Sequence, residues 1–341
     1  MELVLKIVYN VAILFIMMIP GVILKKFNMI SDGFGKGLSN FVLYIAQPAL
    51  IFLAYLKDFN LTILINSLWV LLFSFIAHSL FSVVAILVFK KAPDAKARML
   101  KFATIFSNAA FMGIPLITVV LEDTYPGSTL YASIYNITFN LFLWSLGVRI
   151  CTFGKDKNSD GVDDYKEVSK LLPDKEDDDK VKNASGSILK AILHPVTIAA
   201  LIGLLFFVLP INGYVPGLVV DSLTMLKNTV APLSMVVIGI RLADMSFKGA
   251  FTDKYMYIFL ALRHFALPLC MVGIIKLLEL IGLALPTEVA TVTVILASTP
   301  AATSATMFAE KFDCDSMYVS RLVAVSTLLS ILSMPLVMLV L

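Results

Sequence analysis

Two stretches of the sequence place a proline among hydroxyl and amide side chains within otherwise apolar surroundings. Residues 107–116 read SNAAFMGIPL, and residues 297–304 read ASTPAATS. A proline inside a helix removes a backbone hydrogen bond and clashes with the preceding turn. In a lipid bilayer, the backbone groups that this frees need partners in the protein or in a water-filled cavity. We therefore expect both stretches to interrupt a membrane helix and to gather polar groups at the interruption.

The residue types also predict where each helix breaks. Gly113 and Pro115 mark a break in the first stretch. Thr299 followed by Pro300 has the pattern of a helix start, with a hydroxyl at the N-cap and a proline at the first helical position. Two half-helices that begin near the membrane midplane would each present about half a positive charge and unpaired N–H groups, which favour an anion. The alternative is a pair of proline kinks that only shape packing.

Other polar residues lie at a depth where they could complete such an anion site. Arg263 lies near the middle of its predicted span, where a charge is costly and pairs with a partner or lines a pathway. Its partner could be a carboxylate substrate or a structural group of the protein; the alternative is an arginine that snorkels to the interface or binds backbone carbonyls. Asn136 and Asn140 share a helix face at i, i+4, and either line the cavity or bond neighbouring helices. The residues predicted to bind the substrate are Asn108, Gly113, Ile114, Pro115, Asn136, Asn140, Arg263, Ser298, Thr299, Pro300, Ala301 and Thr303.

Two histidines also lie within apolar spans. His78 and His264 are interpreted as hydrogen-bonded packing residues, with a proton relay as the alternative. His264 follows Arg263 directly and points about 100° away from it on a helix, so the two are not expected to face one site.

The composition explains why these residues are assigned to a membrane protein. Hydrophobic residues make up 59% of the 341 residues, and charged residues make up 15%. A soluble domain carries about 25% charged residues, so this chain has too few to cover a water-exposed surface. Runs of about 20 apolar residues are long enough to cross a bilayer as helices. The predicted fold is an all-α polytopic membrane protein with ten spans, near 5–24, 36–56, 63–89, 98–121, 129–150, 188–209, 216–241, 252–280, 288–310 and 317–341.

The distribution of lysine and arginine predicts the orientation of these spans. The loops after odd-numbered spans are the more basic ones, as with Lys90 and Lys91 after the third span and Arg241 after the seventh. Basic loops face the cytoplasm. We therefore expect a multi-pass protein of the cell membrane with both termini outside and the polar segment 151–187 in the cytoplasm.

The two halves of the chain, 1–150 and 188–341, match each other at an offset of about 185 residues. At that offset Pro48 meets Pro232, His78 meets His264, and Pro115 meets Pro300. Each half holds five predicted spans, so the second half enters the membrane from the opposite side. Inverted repeats of this kind are typical of secondary transporters, whose sites lie at the repeat interface near the midplane.

Three motifs resemble the auxin efflux carrier family, in particular its small microbial members. They are FVLYIAQPALIF in the second span, SNAAFMGIPL in the fourth and STPAATSATMFAEKF in the ninth, and the resemblance covers essentially the whole chain. Asn108, Gly113, Pro115 and Pro300 carry over from the family's motifs.

This resemblance implies a fold shared with bile acid:sodium symporters. It implies a scaffold of spans 1, 2, 6 and 7, and a transport unit of spans 3–5 and 8–10 in which spans 4 and 9 cross at their prolines. It further implies a substrate anion at that crossing, an elevator-like movement and a homodimer formed through the scaffold. Microbial relatives are linked to small carboxylates such as malonate or malate.

The sequence therefore favours a carrier for a small organic anion within the lipid bilayer. The alternatives are a channel and a sodium-coupled organic anion symporter of the same fold. No catalytic motif favours an enzyme, and the net charge of +3 does not indicate a nucleic-acid partner. The three cysteines lie far apart, which predicts neither a disulfide framework nor a metal site.

The sequence predicts no cofactor. Coupling to Na⁺ or H⁺ has no assignable ligand, because the midplane site lacks an acidic residue. Residues 156–167, from Asp156 to Glu167, match a calcium-binding loop pattern. Because Asp163 takes the place of the usual hydrophobic residue, a chance match is the favoured interpretation.

Overall fold

The computed structural model of the chain describes residues 2–152, 193–209, 211–244, 250–312 and 314–341. Every regular element among them is helical. Seven helices are long and apolar enough to cross a membrane: α1 (Leu5–Lys26), α2 (Phe34–Tyr55), α3 (Leu61–Lys91), α6 (Ser128–Thr152), α8 (Gly217–Asp244), α9 (Lys254–Leu280) and α12 (Ser316–Met338). Shorter helices complete the set: α4 (Asp94–Ile105), α5 (Ala109–Val120), α7 (Pro195–Val208), α10 (Thr287–Ser298) and α11 (Ser304–Lys311).

The two predicted interruptions are both present. The predicted fourth span consists of α4 and α5, separated by residues 106–108, and the predicted ninth span consists of α10 and α11, separated by residues 299–303. The fold is thus all-helical and polytopic, as expected. The pairing of the two halves as inverted repeats stays a prediction.

The break in the fourth span is not where Gly113 and Pro115 predict it. Both residues lie inside the helical segment that follows the break, Gly113 at the end of a π-helical stretch (Ala109–Gly113) and Pro115 in the first turn of α-helix after it. The wider π turn directly before Pro115 leaves room for the proline ring and for the missing N–H group. The helix therefore tolerates Pro115 without a second break.

The same local arrangement recurs at two other prolines. The π-helical stretches Val42–Ala46 and Leu262–Ala266 each end two residues before a proline, Pro48 and Pro268 respectively. A π turn widens the helix and is a known cause of bends. Pro48 and Pro268 are thus accommodated inside α2 and α9 without dividing them.

The restart of the ninth span also differs from the prediction. Thr299 is the C-cap of α10, with extended backbone, and α11 begins only at Ser304 with Thr303 as its N-cap. Because a proline disfavours helical geometry in the residue before it, Pro300 ends α10 at this point rather than starting the next helix.

The contacts divide most of the helices into two sets. In the first set, α8 packs against α1 and α2, and α2 packs against α7. In the second set, α3 packs against α6 and α4, while α10 packs against α6, α9 and α12. The broken helix α5 contacts both sets, through α1 and α8 on one side and α6 on the other.

Glycines allow two helices of the first set to touch through their backbones. A Cβ atom on Gly239 of α8 would lie 2.0 Å from the carbonyl oxygen of Met18, and one on Gly21 of α1 would lie 2.2 Å from the carbonyl oxygen of Val236. Small residues at such positions are typical of close helix pairs in membranes.

Some predicted features fall partly or wholly outside the described residues. Helix α6 continues to Thr152, so the first two residues of the predicted segment 151–187 are helical. The calcium-loop match at 156–167 lies outside the described part of the chain, as does the start of the predicted sixth span.

Candidate functional site

The two interruptions meet, and a short backbone pairing joins them. The N–H group of Asn108 donates to the carbonyl oxygen of Pro300 over 2.8 Å, and the N–H group of Ala302 donates to the carbonyl oxygen of Phe106 over 2.9 Å. Ser107 and Ala301 thereby form an antiparallel bridge. Non-helical backbone within a membrane must find partners inside the protein, and here each interruption supplies partners for the other.

Gly113 lets the two broken spans approach each other. A Cβ atom on Gly113 would lie 2.5 Å from Cδ2 of Leu296 and 3.3 Å from Cγ2 of Thr299. The predicted importance of Gly113 therefore has a steric explanation: it faces the last turn of α10 rather than breaking its own helix.

Donor groups at the starts of α5 and α11 lack partners in the described structure. The N–H groups of Ala109, Ala110, Thr303 and Ser304 form no hydrogen bond there. The side-chain nitrogen Nδ2 of Asn108 and the hydroxyl of Ser304 are likewise buried without a partner among the described residues. Buried donors without partners are rare in proteins and point to a bound group such as water or an ion.

The opposite ends, the last turns of α4 and α10, are bound by Arg263. Its Nη1 donates to the carbonyl oxygen of Thr104 over 3.2 Å, and its Nε and Nη2 donate to the carbonyl oxygen of Thr299 over 3.1 and 2.7 Å. The guanidinium lies 5.4 Å from the ring centroid of Phe81, and the residue is fully buried. In the structure, Arg263 therefore binds backbone carbonyls, which was one of the alternatives. A direct contact with substrate stays a prediction.

His264 is linked to the paired interruptions from another side. The paired residues 106–108 and 299–303 are called the crossing from here on. Its Nε2 lies 2.8 Å from the hydroxyl of Ser326, which accepts a hydrogen bond of 2.9 Å from the N–H group of Ala301. Its Nδ1 lies 2.8 Å from the hydroxyl of Ser333. As the helical geometry predicts, His264 and Arg263 point to different neighbours, yet both contribute to holding residues 299–301.

His78 behaves as a packing residue. Its Nδ1 lies 2.7 Å from the carbonyl oxygen of Ser74, and its ring packs against those of Tyr135, Phe139 and Phe142. The relay alternative for His78 stays a prediction.

The remaining predicted site residues divide between the crossing and the helix contacts around it. The hydroxyls of Ser298 and Thr299 donate to the carbonyl oxygens of Ile295 and Leu296, at 2.9 Å each, so both bonds lie within the last turn of α10. Ile114 and Pro115 are buried in α5.

The two asparagines of α6 differ in their contacts. Asn140 donates to the hydroxyl of Thr197 in α7 over 3.5 Å, which matches the helix-bonding alternative. Asn136 is buried, and its Oδ1 has no partner among the described residues. Both residues lie on α6, which packs against α5 and α10, but only Asn136 keeps a polar atom without a partner among the described residues, so of the two it is the better candidate to line the crossing.

Two residues at the crossing were not predicted from the sequence. Gln47 of α2 donates from Nε2 to the carbonyl oxygen of Ala110. Arg241 of α8 donates from Nη1 to the carbonyl oxygen of Thr303 over 3.2 Å and to the hydroxyl of Thr306 over 2.8 Å. Gln47 stands out as an amide within the apolar motif IAQPALIF, and this was the available signal for it. Arg241 lies at the end of its predicted span, where a basic residue indicates only the orientation of the span in the membrane.

These features define a polytopic membrane protein in which two interrupted helical segments meet and pair through their backbones inside the helical bundle. The chain belongs to the membrane transport protein family, which matches it over residues 6–338 and is the auxin efflux carrier family that its motifs resemble. It is therefore a membrane transport protein, and its family is not one of enzymes.

Two relatives show how far the similarity extends. An uncharacterized transporter of Methanocaldococcus jannaschii is 23% identical over 327 residues, which cover 94% of each chain. The lysosomal cholesterol signaling protein of Mus musculus is 24% identical over 227 residues, which cover 64% of this chain and 24% of the mouse protein.

Proposed function

We propose that this protein is a secondary transporter that carries a small organic anion, such as a mono- or dicarboxylate, across the cell membrane. The observation that carries the proposal is the buried crossing of the two broken spans, where the starts of α5 and α11 keep N–H donors without partners among the described residues. Half-helix starts of this kind bind the anionic groups of substrates in transporters.

The charge balance at the crossing favours an anion over a cation. The ends of α4 and α10 together carry about one negative charge, and the starts of α5 and α11 together carry about one positive charge. Arg263 donates to both negative ends and offsets them. The starts of α5 and α11 then leave about one unit of positive charge near Asn108 and Ser304. Arg241, bound at Thr303, adds its own positive charge, and a carboxylate would match this balance.

We propose an elevator-like movement of the second helix set, with the crossing, along the first. The first set (α1, α2, α7 and α8) would be the scaffold, and the other helices would be the transport unit. The backbone contact between α1 and α8 supports a rigid scaffold. Among the described residues, the polar contacts between the two sets are side-chain hydrogen bonds at separate points. They include Gln47 to Ala110, Ser133 to Tyr55, Asn140 to Thr197 and Arg241 to Thr303.

The arrangement in the membrane follows from the charge pattern and the resemblance. We propose that both termini lie outside and that the segment 151–187 lies in the cytoplasm. We further propose a homodimer that forms through the scaffold helices.

A saturable exchange reaction would separate the carrier from a channel. Purified protein in proteoliposomes is expected to take up radiolabelled malonate or malate with saturation, and to show counterflow when the lumen holds unlabelled substrate. Flux without saturation or counterflow would favour a channel and reject the carrier.

The site itself is tested by a thermal-stability screen of the purified protein against mono- and dicarboxylates. Asn108→Ala removes the unpartnered Nδ2 and is expected to abolish the stabilisation. Asn10→Ala is the matched control, because Asn10 bonds only to the carbonyl oxygen of Lys6 in its own helix. If no carboxylate stabilises the wild type more than Asn108→Ala, the assignment of the site is wrong.

A further inference from the structure

The hydrogen bonds of Arg263 all go to the backbone of the two broken helices. The three hydrogen bonds of its guanidinium end on one carbonyl oxygen from each helix, those of Thr104 in α4 and Thr299 after α10. Among the described residues, no carboxylate forms an ion pair with Arg263. The residue is fully buried, so its charge acts on these carbonyl groups without screening by water.

Carbonyl groups at the ends of broken helices have a defined use in transporters. Unwound backbone carbonyls and half-helix C-terminal ends coordinate the coupling cation, while the half-helix N-termini bind the anionic substrate. The crossing of this protein has both kinds of end. The C-terminal ends of α4 and α10 are the ends that would coordinate a cation, and their carbonyl oxygens already accept hydrogen bonds from Arg263.

We propose that Arg263 is a built-in cation that takes the place of a coupling Na⁺ ion at the crossing. It would be a positioning residue, because it acts on the substrate site through the backbone at 299–301 and need not contact the substrate. The proposal rests on the proposed carrier function and refines it: transport of the anion at this site would not be driven by Na⁺.

The geometry explains why an arginine suits this role. Two N–H groups of the fork meet the Thr299 carbonyl oxygen, and a third meets the Thr104 carbonyl oxygen on the other span. A lysine would place one compact charge at the end of a flexible chain and could not address both oxygens with the same fixed spacing. Arg263 therefore both neutralises the helix ends and fixes the distance between them.

The first test needs no substrate. Thermal unfolding of the purified protein is compared in NaCl, KCl and N-methyl-D-glucamine chloride at equal ionic strength. For the wild type we expect the same Tm in all three salts. For Arg263→Gln we expect a lower Tm in N-methyl-D-glucamine, and a rise of several degrees in Na⁺ or K⁺, because a small cation can then reach the exposed carbonyl groups.

Two further variants complete the comparison. Arg263→Lys keeps the charge and is expected to be insensitive to the cation, with a Tm between those of the other two proteins. Arg321→Gln is the matched control, because Arg321 lies outside the crossing and contacts the sulfur of Met317 in its own helix. A saturable Na⁺ stabilisation of the wild type would overturn the proposal, as would an Arg263→Gln variant with the stability and salt response of the wild type.

Uptake measurements separate this proposal from the carrier function itself. An inward tenfold Na⁺ gradient, coupled one to one, would raise malonate or malate accumulation about tenfold, and we expect no such rise in wild-type proteoliposomes. Accumulation that follows the Na⁺ gradient would reject the role of Arg263 and leave the carrier intact. If Arg263→Gln does not fold, the salt comparison of the wild type and Arg263→Lys and this uptake test still decide the question.

Discussion

Replacing Gly239 by alanine should separate α1 from α8, the two helices that touch through their backbones. The added Cβ atom would lie 2.0 Å from the carbonyl oxygen of Met18 and 2.9 Å from its carbonyl carbon. Real Cβ atoms do not approach other heavy atoms this closely, and the opposing atoms belong to the backbone and cannot rotate away. The substitution can be accommodated only if the helices move apart by more than about 1 Å, since heavy atoms need about 3.5 Å.

The cost follows from the packing around this contact. Inserting a methyl group into a well-packed core costs about 1–3 kcal/mol even where side chains can adjust. Because the obstacle here is backbone, we expect Gly239→Ala to lose ~3 kcal/mol or more of stability. The loss should exceed the gain of about 1 kcal/mol that alanine provides over glycine inside a helix.

The assay is thermal unfolding of the purified protein, with Gly273→Ala as the matched control. Gly273 is also inside a helix, but a Cβ atom there would meet no heavy atom within 4 Å. The control should therefore raise the Tm slightly, by the helix propensity alone, while Gly239→Ala should lower it strongly. Equal shifts in the two variants would refute the reasoning, because they would mean that the α1–α8 contact is looser than the structure has it.

Two other predictions concern contacts around the crossing and at the membrane surface. Ser326→Ala removes the acceptor of the Ala301 N–H group and should lower the free energy of unfolding by about 1–3 kcal/mol. Ser330→Ala is the control and should lower it clearly less, because the Ser330 hydroxyl donates to the Thr327 carbonyl oxygen of its own helix. Burial raises the pKa of Glu122 in the loop after α5, but the bonds from Lys57 and Thr129 outweigh it and hold the pKa below its ordinary value of 4.5. The bonds to the ionised Glu122 carboxylate stabilise the folded state. This stabilisation is present above pH 4.5 and is lost as the pH falls through the lowered pKa of Glu122. Stability measured against pH should fall in that acidic range for the wild type, and less steeply for Glu122→Gln.

The sequence was sufficient to predict the interruptions but not the residues at which the helices restart. Proline and polar residues in an apolar run can be read directly. Residues 299–303, and residues 107 and 108 of the interruption 106–108, fall within the predicted stretches. The placement of Pro115 inside α5 depends on a π-helical stretch whose hydrogen bonds start at the carbonyl oxygen of Asn108. A proline follows three of the described π-helical stretches but also marks the true break at Pro300, so its presence does not distinguish the two cases. The break was therefore predicted too late in the chain.

The partners of Arg263 and Arg241 show a second limit of prediction. Both arginines bind backbone carbonyls, and every residue type carries that group. The packing of α8 and α9 against the broken spans decides which carbonyl oxygen each arginine contacts. The paired residues are 36 or more positions apart in the sequence. Polar side chains can be found in a sequence, but an exposed carbonyl at a helix end appears only once the tertiary structure is known.

The length of α10 has a consequence for how the protein is made. The helix has 12 residues and is about 18 Å long at 1.5 Å per residue, well short of the ~30 Å hydrocarbon layer. Residues 289–298 are all buried against neighbouring helices, so this segment has no lipid-facing surface of its own. During synthesis it cannot enter the bilayer as an independent unit, and it must wait until α6, α9 and α12 are present to receive it. One of those three, α12, follows α10 in the chain, so the ninth span reaches its final place only after α12 has been synthesised.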